Sequence, residues 1–193
     1  MTMTTQPLQD EATAHPPDCP PPATVLRANA HLLPQTGDAL DLACGLGGNA
    51  LLLARYGLRT EAWDWNPDAL RQLSLAATRL KLTVAARLRD VEATPPDDQQ
   101  FDIITVSHFL HRPTIPALRQ AVRPGGLIFY QTFRDRRVAP AGPRNPDYLL
   151  KDNELLRLFA GFIVRAYRDE DCIGRAACGW RNKAMIVAQR PYR

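Results

Sequence analysis

Two acids set around a glycine turn carry the plainest chemistry in this chain. Asp41 stands four residues before Gly45 in Asp41-Leu42-Ala43-Cys44-Gly45-Leu46-Gly47-Gly48-Asn49, and Asp64 follows Gly45 at an offset of about 20 residues. A carboxylate at that offset, on the tip of a second strand, accepts a hydrogen bond from each hydroxyl of a ribose, and its charge strengthens both. Bare backbone at Gly45 and Gly47 lets a ligand approach closely, and such turns often need positive φ. The pattern predicts a nucleoside-bearing ligand. Read as Gly45-x-Gly47-x-x-Ala50, the same turn also satisfies the dinucleotide fingerprint, so a nicotinamide or flavin oxidoreductase is the rival reading. Asp41 separates the two, because a carboxylate so near the turn repels a pyrophosphate and attracts a ligand carrying an ammonium and a sulfonium.

A second group of reactive side chains lies further along. Ser107-His108-Phe109-Leu110-His111-Arg112 follows a run of β-branched residues. His108 and His111 are each able to take a proton from a thiol or hydroxyl near neutral pH, or else to cap the strand and orient the loop. Tyr130 and Phe133 close a later apolar strand, and the stretch 134–151 has no helical period. Loops of that length are usually lids or binding loops. Arg134, Arg136, Arg137 and Arg144 suit bidentate recognition of an anionic acceptor, and Tyr148 suits an apolar wall. Arg175 and Arg181 sit in a later link and are expected to face the same acceptor pocket. The four cysteines, Cys19, Cys44, Cys172 and Cys178, form no CxxC pair, so neither a zinc cage nor a disulfide framework is expected, and no metal is implied.

These groups need a scaffold, and the hydrophobic pattern supplies one. Strands are expected at 39–43, 60–65, 83–88, 101–107, 127–133, 163–167 and 183–189, with helices at 24–33, 50–56, 68–80, 113–122 and 153–160, the last capped by Asp152. The alternation predicts an α/β, Rossmann-like, doubly wound seven-stranded sheet. It is mostly parallel, with an antiparallel last strand, because the link 168–182 is too short and glycine-punctuated for a crossover helix. Ligands of such sheets bind beyond the carboxyl ends of the strands, where Asp64, Trp65, Asn66, Asp90, Val91, Ser107 and the histidines fall.

At 193 residues the chain suits one domain, expected at 23–193, with a proline-rich, weakly apolar tail at 1–22 that cannot build a core and is expected to be disordered. His31, in the first helix, reads as a solvated or core histidine. No run of about 20 apolar residues spans a bilayer, and no secretory signal is present, so a cytoplasmic protein with reduced thiols is expected. The net charge of +4 is mostly arginine, scattered along the chain, which does not point to nucleic acid.

The run from Asp41 to Gly48 resembles the first motif, acid-x-Gly-x-Gly-x-Gly, of the class I S-adenosylmethionine-dependent methyltransferases, departing from it at Ala43 and Gly48. A narrower likeness, to the tellurite-resistance methyltransferase family, rests on Asp41-Leu-Ala-Cys-Gly45 with Gly48-Asn49, on Glu61-Ala-Trp-Asp64 with Asn66, and on Glu154-Leu155, Gly161, Tyr167, Glu170-Asp171 and Gly174. The resemblance implies S-adenosylmethionine as cofactor, bound by Asp41, Ala43, Cys44, Gly45, Gly47, Asn49, Asp64, Trp65, Asn66, Asp90, Val91 and Ser107. It implies a small-molecule methyl acceptor, a thiol or chalcogen oxyanion, near Tyr130, Phe133, Arg134, Arg144, Tyr148 and Arg175, with His108, His111 and Arg181 as catalytic candidates. A non-catalytic cofactor-binding protein is the remaining alternative.

Overall fold

The computed structural model describes residues 20–96 and 100–192. Seven strands, β1 (Asp38–Leu42), β2 (Arg59–Asp64), β3 (Val84–Leu88), β4 (Phe101–Ser107), β5 (Val122–Phe133), β6 (Ile163–Arg168) and β7 (Lys183–Gln189), form one sheet in the order β3-β2-β1-β4-β5-β7-β6. All pairs are parallel except those made by β7, which runs antiparallel to both β5 and β6. The strand order reverses between β1 and β4, and that switch point opens the crevice at the carboxyl edge in which ligands of such sheets sit.

Helices cover both faces: α1 (Thr24–Ala28), α2 (Gly48–Arg55), α3 (Pro67–Arg79), α4 (Ile115–Ala121) and α5 (Glu154–Leu158). Alternation along the strands divides the core. Ala39, Ile103, Phe129 and Val187 pack with α1 and α2 on one face, while Leu40, Ile104, Ile128 and Ile186 pack with α4 and α5 on the other. A third cluster, Leu73, Ala76 and Ala77 against Ala50, Leu51 and Ala62, seats α3. Each fully buried leucine or isoleucine contributes roughly 1.5–3 kcal/mol, so the crevice is built on a stiff floor.

Several boundaries differ from expectation for local reasons. The lead-in helix stops at Ala28 and continues as a single 3-10 turn, Ala30–Leu32, where Asn29 Nδ2 donates to the Val25 carbonyl. His31 is exposed on that turn. The helix expected at 113–122 begins with a 3-10 turn, Arg112–Thr114, before α4. The strand expected from Leu127 is entered already at Val122, since Gly125 and Gly126 pair with Arg190. Asp152 does not cap α5. Its N-cap is Asn153, in the left-handed region at φ 57° without a side-chain cap, and Asp152 pairs instead with Arg134. Most of the expected tail, 1–19, lies outside the described residues, but Pro22 is buried and the Pro20 carbonyl lies directly over Gly48. No helix among the described residues is long and apolar enough to cross a membrane.

Candidate functional site

The glycine turn follows β1 and is fastened from beneath by Asp41. This side chain is fully buried: Oδ1 accepts from Asn49 Nδ2 (3.1 Å) and Thr105 Oγ1 (3.0 Å), and Oδ2 accepts from the Ala50 N–H (3.0 Å). Burial pushes its carboxyl up to about 7, against the pull of those hydrogen bonds. Asp41 therefore anchors the start of α2 and has no face toward a ligand, which corrects the expectation that it attracts the ligand directly. Asn49 is equally committed, donating to Asp41 and Ser107 Oγ and accepting from the Ala23 N–H. Of the two glycines expected to admit ligand, only Gly45 faces open space. A Cβ at Gly45 would meet nothing within 4 Å, whereas one at Gly47 would collide with Leu73, so Gly47 serves helix packing. Ala43 holds φ at 54°, a left-handed conformation usually given to glycine, at the position where the sequence departs from the motif.

Asp64, at the tip of β2, is held by backbone. Oδ2 accepts from the Gly45 N–H (2.7 Å) and Oδ1 from the Asn66 N–H (2.9 Å), which leaves lone pairs on both oxygens for a diol. It lines a cavity of about 410 Å³ together with Trp65, a residue 76% exposed, and with Asp90, Val91 and Glu92 from the loop after β3. Tyr148 and Pro143, from the long loop after β5, close the far side. Asp90 Oδ1 accepts from the N–H groups of Glu92 and Ala93, which shapes that loop. Asn66 lines nothing here; its side chain caps α3 by accepting from Asp68 and Ala69.

A second cavity of about 320 Å³ lies over the glycine turn, walled by Cys44, Gly45, Asn49 and Ser107 and by Pro20, Pro21 and Ala23. The two cavities share Ala43, His108 and Phe109. His108 directly follows β4 in the left-handed region, φ 58°, stacks on Phe133 with ring centroids 5.1 Å apart, and has Nε2 2.8 Å from Lys183 Nζ. Burial, and then the Lys183 charge, push the imidazole down to about 4, so it is neutral at pH 7 and a weak base. Burial followed by the charges of Asp41 and Asp64 pushes the Cys44 thiol up, so it stays protonated.

Residues 39–126 match the family model described as a methyltransferase domain. That match spans a little under half of the chain and is a likeness to methyltransferase domains over the strands that carry the glycine turn and Asp64. The chain is similar to hemagglutinin 1 of Eikenella corrodens, 30% identical over 142 residues, with 70% of the chain and 46% of that protein covered. It is also similar to the ubiquinone biosynthesis O-methyltransferase of Xanthomonas axonopodis pv. citri, 25% identical over 190 residues, covering 87% of the chain and 78% of that protein. Among solved structures it resembles TehB from Haemophilus influenzae at a TM-score of 0.69 and 22% identity, covering 86% of the chain and 61% of TehB, a likeness of fold. The chain thus spans about half the length of the first of these relatives.

The site fits S-adenosylmethionine on three points: open space over Gly45, a carboxylate facing the larger cavity, and a second cavity beside it with room for the amino-acid arm. Asp64 would hold the ribose, Trp65 and Val91 would flank the base, and Asp90 would accept from its amino group. The turn at Cys44-Gly45 would face the arm. Bound there, S-adenosylmethionine supplies an electrophilic methyl group, and the chain's own residues position and desolvate.

Other expected site residues are placed elsewhere. His111 bonds Thr114 Oγ1 through Nδ1 (2.6 Å) and lies 3.9 Å from Glu92, so it braces the loop after β4 against the loop after β3 and lines neither cavity. Tyr130 is fully buried and donates to the Phe109 carbonyl (2.8 Å), positioning Phe109 instead of touching an acceptor. Arg134 is 2% exposed and pairs with Asp152 and Asp169, which makes it a buried tie between loops. Arg136 pairs with Asp171 and Arg137 bonds the Pro143 carbonyl. Arg144 is exposed and lines neither cavity. Arg181 is spent on carbonyls of its own loop, at Glu170, Asp171, Arg175 and Cys178, and Arg175 is exposed and lines neither cavity. The sequence reading missed Lys183, Pro143 and the Pro20–Pro21 wall. Lys183 had a signal, since the first residue of an antiparallel last strand must lie at the carboxyl edge.

Proposed function

We propose that this chain moves a methyl group from S-adenosylmethionine to a small-molecule acceptor, with a thiol or a chalcogen oxyanion as the expected class. One observation carries the reading: Asp64, fixed by two backbone N–H groups, faces a cavity that meets a second one at Ala43, His108 and Phe109. That junction is where a methyl group between an adenosine and an amino-acid arm would lie, and it is where an acceptor must arrive. Placing the acceptor about 3 Å from the methyl is the main contribution open to the protein, worth roughly 7–11 kcal/mol as proximity. Cavities of about 410 and 320 Å³ suit a small acceptor, and the arginines of the long loops are largely engaged within the protein, which argues against a nucleic-acid surface. Thiols at Cys44, Cys172 and Cys178 are unpaired, in keeping with a reducing cytoplasm.

Calorimetry with S-adenosylhomocysteine and with NAD, followed by labelled methyl transfer to a panel of thiols, phenols and chalcogen oxyanions, tests the proposal. Binding of NAD without S-adenosylhomocysteine would restore the dinucleotide reading. Cofactor binding with no labelled product from any acceptor would favour a non-catalytic cofactor-binding protein.

A further inference from the structure

Lys183 opens β7 in register with Phe133, and because β7 runs against its neighbours this first residue lies at the carboxyl edge, where it lines neither cavity itself but touches His108, which lines both. Its Nζ is 2.8 Å from His108 Nε2 and 4.9 Å from the centre of the Phe133 ring. The neutral imidazole must accept there, so the ammonium donates one N–H to His108 and keeps two others. Lys183 is half-buried, and among the described residues no carboxylate pairs with it. The acids on the adjoining segments are spent elsewhere: Asp152 and Asp169 pair with Arg134, Asp171 with Arg136, and Glu170 with Arg168. A cation withdrawn from water without an opposite charge is costly, and burial duly lowers the pKa of this lysine. A fold that keeps such a cation against the histidine shared by both cavities, steadied by that imidazole and an aromatic face, has a place for a ligand's negative charge.

We propose that Lys183 holds the methyl acceptor as an anion beside His108 and Phe109, so that the site selects thiols, phenols or acids that bind deprotonated. This rests on the methyl-transfer reading. The acceptor's proton leaves to water as the acceptor binds. Its lone pair then forms the new bond to the methyl carbon while the carbon–sulfur bond breaks and its electron pair stays on sulfur, leaving a neutral methylated product with no further claim on the ammonium. No histidine base is needed, in keeping with His108 being a poor one.

The test uses the full chain saturated with S-adenosylhomocysteine and 4-nitrophenol as the probe, because its phenolate is coloured and its phenol is not. The wild type should bind the phenolate at least about tenfold more tightly than the phenol, seen as a fall of about one unit in the probe's apparent pKa. Lys183→Met should abolish that fall and Lys183→Arg should keep most of it, while the Kd for S-adenosylhomocysteine stays within about twofold in both, which also reports that they fold. His108 in Lys183→Met should titrate higher by NMR, having lost the adjacent cation. A wild type that binds S-adenosylhomocysteine but leaves the probe's pKa unmoved, or takes no probe, overturns the inference, as does an equal fall in Lys183→Met. A wild type that binds no S-adenosylhomocysteine overturns the methyl-transfer reading instead.

Discussion

Asp64→Asn is the substitution that tests the donor site most sharply. The carboxylate has about four acceptor positions; the Gly45 and Asn66 N–H groups occupy two, leaving two for a ribose diol. An amide in its place keeps one accepting oxygen and turns an NH2 group toward a backbone donor. One ribose bond is lost, the other loses its charge, and one N–H of the turn is left unmatched. With charge-assisted bonds at about 1.5–3 kcal/mol, the net loss should be about 2–4 kcal/mol. At 1.4 kcal/mol per tenfold, S-adenosylhomocysteine should bind roughly 30- to 1000-fold more weakly by calorimetry. The same titration with the 2′,3′-dideoxy analogue completes a cycle: wild type should lose affinity for it, and the Asn variant should lose little more. A variant whose circular dichroism is intact and whose Kd moves by less than about threefold would refute the placement of the ribose.

Three further outcomes follow from the same geometry. Trp65→Ala should weaken S-adenosylhomocysteine binding by about 0.5–1.5 kcal/mol, and ligand should quench the wild type's exposed indole fluorescence; unchanged affinity with no quenching would remove Trp65 from the base's face. Burial pushes the Asp41 carboxyl up to about 7 from the ordinary 3.8, so the folded state holds its proton longer than the unfolded one. Its contribution to stability is complete below about pH 4 and is lost as pH rises toward 7. Denaturant midpoints from pH 4.5 to 7.5 should therefore decline more steeply in wild type than in Asp41→Asn, and parallel slopes would contradict the burial argument. Arg134→Met leaves Asp169 and Asp152 without their buried partner and should destabilise by about 3–5 kcal/mol, while the Kd for S-adenosylhomocysteine stays near wild type. A stable Arg134→Met chain that binds acceptor poorly would return Arg134 to the acceptor site.

The glycine turn, the Asp64 offset, the count of strands and the antiparallel last pair were legible in the sequence because each is local. They rest on a hydrophobic period, a turn residue, or a link too short for a crossover helix. Trp65, Asp90, Val91, Ser107 and His108 came with them, since a residue just past a parallel strand's end has nowhere to go but the crevice. What the sequence could not assign was how each polar side chain spends its hydrogen bonds. Asp41 and Thr105 are 64 residues apart, His108 and Lys183 75, and Val25 and Gln131 106. Whether Asp41 meets a ligand or a threonine, whether Arg134 awaits an anion or already has two, and whether Lys183 stands over a histidine are decided only when distant strands come into register. A carboxylate or guanidinium carries the same charge in either setting. Its role depends on which partners the fold brings within 3 Å and how much water the fold removes.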